Sequence, residues 1–251
     1  GLPKGVLVGP GSGDNMGAAL GLGLGGGDIA MSLGTSGTVY ASSVTPTADI
    51  TGAVAGFADA NGAYLPLVAT LNATKVTDAV ARWLGTDAPG LAELAMQAPM
   101  TGGGPVLIPY FDGERTPNLP DATGTFAGLT TSTTREQLAL AAHDGVLCGL
   151  LGGLTALITA GASASGQLNL IGGGSRSVAY RQRTADLLGK PIMVPDTDET
   201  VATGAAVQAV MAMGEATAGE LAEAWDLGEG SLVEPVADGA GVREAYQAVI
   251  A

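Results

Sequence analysis

Apolar positions along this chain change their period part-way. Between residues 28 and 69 they come in short runs bounded by turn residues: Asp28 to Leu33 and Gly37 to Ser42 read as strands around a Gly34-Thr35-Ser36 turn, and Ala63 to Ala69 as a third. The three predict a ladder of hairpins. From Asn72 to Leu84 the spacing becomes helical, with Val76, Val80, Trp83 and Leu84 on one face and Gly85 as the stop, so Trp83 is expected in the core and not as a base-stacking platform. Val106 to Tyr110 reads as a short strand entering the loop Gly113-Glu114-Arg115-Thr116-Pro117, expected at the surface or an interface. The remainder alternates. Thr134 with Gln137 forms a capping-box start for a long helix carrying Leu138, Ala142, Val146, Leu150, Leu154 and Leu157. A strand at Gln167–Ile171, a glycine turn, a helix through Tyr180 to Leu188, a strand at Ile192–Val194 and a helix from about Thr200 to Met213 follow. The segment from Gly228 to Gly241 reads as a connector before a final short helix. The class is α/β.

One stretch tests that picture. Val146 to Gln167 holds no charged residue and is long enough to span a bilayer. Gly149, Gly152, Gly153, Thr155, Thr159 and Gly161 dilute it, and no Lys or Arg closely flanks it. A buried helix with a small-residue face is expected instead, and no membrane partner. With 251 residues, 46% of them hydrophobic and 14% charged, the chain can bury one large core or two modest ones. A net charge of −14 without a run of Lys or Arg opposes nucleic-acid binding. Cys148 is the sole cysteine, so no internal disulfide is available and a cytoplasmic setting is expected. His143 is the sole histidine; with no second ligand at metal spacing, no metal site is expected, and the residue is read as lying on a helix surface. The opening Gly1-Leu2-Pro3-Lys4 has neither an initiator methionine nor an apolar signal core, and suggests a chain cut from something longer.

Candidate chemistry concentrates where glycine does. Gly11-Ser12-Gly13-Asp14-Asn15-Met16-Gly17 places a carboxylate among glycines, and Ser32-Leu33-Gly34-Thr35-Ser36-Gly37 places two hydroxyls beside amides that a phosphate can approach. Gly172-Gly173-Gly174-Ser175 lies between an apolar strand and a helix, where α/β sheets dock ligands. Each has a plainer alternative: an Asx-turn aspartate, an ordinary hairpin turn, and a tight strand-to-helix turn. Gly21-x-Gly23-x-x-Gly26 matches a dinucleotide pattern without the strand and helix that pattern needs, and Gly189-Lys190-Pro191 is not a Walker A ending. Glu114 and Arg115 either form an ion pair that fixes their loop or face a cleft, and the fixing role is preferred.

These segments, together with Pro109 to Pro117, Leu170 to Ser177 and Thr203-Gly204-Ala205-Ala206 in that order, resemble the carboxy-terminal half of FGGY carbohydrate kinases from about Val8 to Met213. The Gly-Glu-Arg-Thr-Pro loop is most similar to the xylulose-phosphorylating branch. The resemblance implies a ribonuclease-H-like domain of the actin-like ATPase superfamily, with residues 1–27 ending a sugar-binding domain and 28–251 forming the nucleotide-binding domain. It implies Asp14 as the general base toward a sugar hydroxyl. Gly34, Thr35 and Ser36 would meet the phosphates of Mg²⁺-ATP, and Gly173, Gly174 and Ser175 the adenosine side. Asn72 would contact nucleotide, while Val178 stands where some relatives carry a polar adenine contact. The implied partners are a small sugar, ATP and a second copy of the chain as a homodimer. The implied activity is phosphorylation of D-xylulose by the whole protein, with the 251 residues inert alone. Glycerol, gluconate or ribulose kinase, a non-catalytic nucleotide-binding module and an interaction domain are the alternatives.

Overall fold

The computed structural model describes residues 3–100, 103–197 and 199–250. Helix α1 (Asp14–Gly21) precedes the strands β1 (Ile29–Leu33), β2 (Gly37–Ala41) and β3 (Leu67–Thr70). Next come α2 (Thr74–Trp83), α3 (Ala88–Gln97), the short strands β4 (Val106–Ile108) and β5 (Thr125–Ala127), and the long α4 (Arg135–Thr159). Strand β6 (Leu168–Ile171), a 3-10 turn at Gly173–Arg176, α5 (Val178–Leu188), β7 (Ile192–Pro195) and α6 (Thr200–Met213) follow. Helix α7 (Ala218–Ala224), β8 (Gly230–Val233) and α8 (Ala240–Ile250) complete the order.

The main sheet runs β3-β2-β1-β6-β7-β8. β1 to β3 form the expected antiparallel ladder, β6 and β7 run parallel to β1, and β8 closes the far edge antiparallel. Alternation along β1 and β2 divides two faces, as a period of two requires. Met31, Leu33, Val39 and Ala41 pack with Leu147, Leu150 and Leu154 of α4 in the larger core. Ala30 and Tyr40, partners in register, turn to the opposite face and meet Ala18 and Ala19 of α1 and Leu22 just after it.

Helix α4 carries the expected capping box, with Thr134 Oγ1 accepting from the Gln137 amide and Gln137 Oε1 accepting from the Thr134 amide. It is the one helix among the described residues long and apolar enough to cross a membrane, yet 72% of its most apolar window is buried inside the protein. Helices and strands pack on several sides of it, so it has no one-sided apolar stripe.

Several expectations need correction. The connector at residues 228–241 contains β8, whose backbone completes the β7 edge while Ser231 and Leu232 stay exposed; a strand bonded on one side needs little burial of its own. Residues 14–21, where no helix is predicted, form α1. Gly21 there meets the Thr200 carbonyl and the Gly204 amide of α6, so any Cβ would collide with backbone. Glycine is retained for close helix crossing, which is why the dinucleotide pattern is accidental. Trp83 is 62% exposed, outside the core, with its ring 5.2 Å from that of Phe111. It sits at the last turn of α2, past the face that Val76 and Val80 bury.

Candidate active site

The parallel pairing of β1 with β6 sets Ser32 beside Ile171, so the two turns that follow these strands emerge side by side. The first is the hairpin tip, where Thr35 and Ser36 are exposed. Its carbonyls are held from behind: the Ala73 amide donates to Thr35 O at 3.2 Å and the Thr74 amide to Gly34 O at 3.0 Å. The second is the glycine turn. Gly172 has φ of 84°, a left-handed conformation that glycine adopts without strain, and reverses the chain into the 3-10 turn. A Cβ on Gly173 would meet nothing within 4 Å, whereas one on Gly174 would stand 2.7 Å from Leu33 Cβ and 2.9 Å from Thr74 Cγ2. Gly173 leaves space open; Gly174 lets the turn pack on the root of the hairpin.

Between these turns lies a cavity of about 670 Å³. Gly34, Thr35, Gly173 and Gly174 line one end, Thr74 and Thr77 of α2 and Pro89 and Ala92 of α3 line a wall, and His143 and Tyr180 also border it. Its size suits a nucleotide-sized ligand. Val178, 54% exposed, stands on its rim.

His143 corrects an expectation: it is 2% exposed and not on the helix surface. Its ring meets Tyr180 edge-on at 4.6 Å, and Nδ1 lies 2.9 Å from the Ala139 carbonyl. A carbonyl only accepts, so Nδ1 carries the proton. Burial pushes the imidazole down to about 4, so the ring is neutral near pH 7. Tyr180 Oη lies 3.1 Å from Thr77 Oγ1, and burial raises its hydroxyl above the usual range. The two groups border the cavity without charge. The one sequence signal for this burial is the position of His143 four residues after apolar Ala139, and it does not tell a surface from a core because both sides of α4 are buried.

Asp14 opens α1 and is exposed. Its Oδ1 accepts from the Asn15 amide at 2.9 Å and from Asn15 Nδ2 at 3.2 Å, and Asn15 Oδ1 accepts from Thr38 Oγ1 at 3.4 Å. Thr38 directly follows the hairpin tip on β2, so this relay sets the acid beside the strand that bears Thr35 and Ser36. Beneath it, Tyr40 is fully buried with a hydroxyl that has no hydrogen-bond partner among the described residues. Burial first, and the charges of Asp14 and Asp59 after it, raise that phenol well above its ordinary value.

Other candidates fall behind this surface. Asn72 is 2% exposed and does not line the cavity; Nδ2 donates to Gly113 O at 2.7 Å and to Glu114 Oε2 at 2.9 Å. Ser175 Oγ donates to Gly172 O at 2.8 Å and so closes the glycine turn upon itself. Glu114, 3% exposed, accepts from backbone amides and Asn72 instead of pairing with Arg115. Among the described residues no group of three or more His, Cys, Asp or Glu stands at metal-holding distance.

Comparison with known proteins identifies the family and the fold. Residues 29–213 match the model of the FGGY family of carbohydrate kinases, C-terminal domain. A xylulose kinase of Streptomyces coelicolor is 47% identical over 238 residues, covering 94% of this chain and 48% of that protein. The crystal structure of xylulose kinase from Bifidobacterium adolescentis superposes with a TM-score of 0.83 at 44% identity, covering 97% of this chain and 47% of that one. A glycerol kinase from Plasmodium falciparum, solved with ADP, shares the fold at a TM-score of 0.81 and 17% identity. The chain spans about half the length of the curated relatives it matches. The architecture is the ribonuclease-H-like half of the actin-like ATPase fold, and the chain belongs to the FGGY family of carbohydrate kinases, whose C-terminal domain it carries.

Proposed function

We propose that this chain supplies the nucleotide-binding half, together with the general base, of an ATP-dependent kinase that phosphorylates D-xylulose at its 5-hydroxyl. The observation that carries the reading is the juxtaposition of a 670 Å³ cavity, an exposed hydroxyl-bearing hairpin at its end and an exposed carboxylate relayed to the same strand through Asn15 and Thr38. The sugar assignment rests on the relatives named xylulose kinases, at 36% to 47% identity.

In this reading the adenosine lies in the cavity, with Gly173 leaving room for it, and the phosphates extend to the Gly34–Ser36 tip. The sugar oxygen attacks the γ-phosphorus, its proton passes to an Asp14 carboxylate oxygen, and the bond from phosphorus to the ADP oxygen breaks. Positioning and charge neutralisation carry most of such a reaction. Mg²⁺ supplies the charge neutralisation when bound. With no group of three or more ligating side chains among the described residues, Asp14 and the hydroxyls of Thr35 and Ser36 fit a cation held chiefly by phosphates and water, and not an all-protein cage. ATP use and the buried, unpaired Cys148 agree with a cytoplasmic setting.

The test is a substrate panel on the full-length protein with ATP and Mg²⁺. D-xylulose is expected to give kcat/KM at least tenfold above D-ribulose, glycerol and gluconate, a modest discrimination for a hydrogen-bonding site. A preference for another sugar removes the substrate assignment. Turnover by the 251 residues alone removes the view that this half needs its partner domain.

A further inference from the structure

We infer that Glu114 is a positioning residue for the phosphate end of the nucleotide site, acting through residues 70–74 on the hairpin tip; this rests on the reading of that tip as the phosphate contact. The hairpin is held from one short segment of chain. Thr70 Oγ1 donates to Gly37 O at 3.4 Å, the Ala73 amide to Thr35 O at 3.2 Å and the Thr74 amide to Gly34 O at 3.0 Å. The two residues between these ties, Leu71 and Asn72, are both held by Glu114. Its Oε1 accepts from the Leu71 amide at 2.6 Å, and its Oε2 accepts from Asn72 Nδ2 at 2.9 Å. Asn72 Nδ2 also donates to Gly113 O at 2.7 Å, so the segment is tied to the 113–119 loop twice over.

That loop is itself closed. The Glu114 amide donates to Leu119 O at 2.8 Å, the Leu119 amide returns a bond to Glu114 O at 2.9 Å, and the Arg115 amide donates to Oε1 at 2.7 Å. A carboxylate this buried is costly unless its oxygens are occupied, and here three N–H groups occupy them. None of the three comes from a cation. A structural ion pair would explain a glutamate by charge balance; a carboxylate spent wholly on the backbone and amide of residues 71, 72 and 115 explains it by shape. The carboxylate orders the stretch that supports Gly34 and Thr35 without touching the cavity.

The base end has separate supports. Tyr180 bonds to Thr77, and His143 to Ala139, with no link to Glu114. The consequence is selective. Loosening Glu114 should weaken contacts to the phosphates and leave contacts to the nucleoside intact.

The experiment compares wild type and Glu114→Gln in the full-length protein by KM for ATP, inhibition by ADP, inhibition by adenosine and KM for sugar. The amide keeps the shape but places two donors where the carboxylate only accepts, so KM for ATP should rise and ADP inhibition weaken by about tenfold, the range expected for a charged acceptor. Adenosine inhibition and sugar KM should stay within about twofold, an experimental margin. If E114Q does not fold, Asn72→Ser removes the amide that donates to both Glu114 Oε2 and Gly113 O and should show the same selectivity at about threefold or more, the Leu71 and Arg115 amides still holding the carboxylate. Unchanged ATP and ADP affinity, or loss of adenosine inhibition in the same proportion, overturns the inference. A wild type without ATP-dependent activity overturns the functional reading instead.

Discussion

The proposed nucleotide side and the proposed acceptor side of this site are built in opposite ways. On the nucleotide side, an exposed rim at Thr35 and Val178 rests on buried groups, His143 and Tyr180 at 2% exposure with Arg183 at 0% behind them. On the acceptor side Asp14 is exposed, and among the described residues its carboxylate is held only by its neighbour Asn15. A cavity that must recognise a flexible ligand gains from being formed beforehand, because ordering it during binding would cost affinity. A general base needs only to reach one proton when the sugar arrives, and its surroundings are completed by whatever closes over it.

The largest expected effect tests that division directly. Asp14→Asn in the full-length protein should lower kcat by about 10²- to 10⁴-fold, the usual range for a positioned acid or base. KM for ATP should stay within about twofold, since Asp14 does not line the cavity. Steady-state kinetics decides it, and residual activity above one-tenth of wild type would remove Asp14 from the base role.

The second effect lies beneath the nucleotide side. Arg183 Nε and Nη2 donate to the Asp144 carboxylate at 2.7 and 3.1 Å, and Nη1 donates to Asp186 at 3.1 Å. Asp186 Oδ1 in turn accepts from the Val236 and Ala237 amides at 2.8 and 3.2 Å, so one guanidinium joins α4, α5 and the chain before α8. Arg183→Met would strand two buried carboxylates and should cost about 3–5 kcal/mol in urea unfolding. A loss under about 1 kcal/mol would mean the carboxylates simply take up protons, and the nucleotide side would be less rigidly founded than its burial suggests.

Much of this was legible in the sequence, for reasons that particular residues show. The β1–β3 ladder and the parallel strands followed from alternation and glycine turns, and α4 from its capping box. Helix α3 had an equally local signal, Asp87 capping the Gly90 amide with Pro89 in the first turn, and α7 had its own Thr217–Glu220 capping box; both fell within segments whose apolar pattern was weak. What no local pattern could supply was depth. His143 and Trp83 were both misplaced because their exposure depends on how many neighbours pack on a helix, α4 being enclosed on both sides while α2 ends at the surface. Asn72 likewise has bonding partners that no local pattern shows, Gly113 and Glu114, some forty residues away.

The third effect uses pH to separate the two sides. His143 has its pKa pushed from 6.5 down to about 4 by burial, so between those values the unfolded chain binds a proton that the folded chain refuses. Stability from this group is whole above pH 6.5 and is lost as pH falls towards 4, roughly 2 kcal/mol at pH 5. Burial raises the Asp144 carboxyl, which opposes that loss in the acid range. The readout is therefore the difference between wild type and His143→Phe. The variant should lose less stability from pH 7 to 5, by denaturant unfolding, and equal slopes would show that the imidazole is hydrated in the folded protein.

The smallest effect asks how far rigidity on the nucleotide side reaches. Ser175 belongs to the glycine turn, yet it does not line the cavity, and its hydroxyl returns to Gly172 O at 2.8 Å. The Ser175 amide already donates to the same carbonyl at 3.0 Å, so Ser175→Ala leaves that acceptor satisfied. The cost is one neutral bond without an orphaned group, about 0.5–1 kcal/mol, equivalent to at most fivefold in KM for ATP. If Ser175→Ala instead raised KM for ATP more than about thirtyfold, the hydroxyl would have to turn from Gly172 towards the nucleotide on binding, because a bond internal to the turn cannot account for 2 kcal/mol. In that case the cavity would be finished by its ligand, and the contrast with the acceptor side would be one of degree.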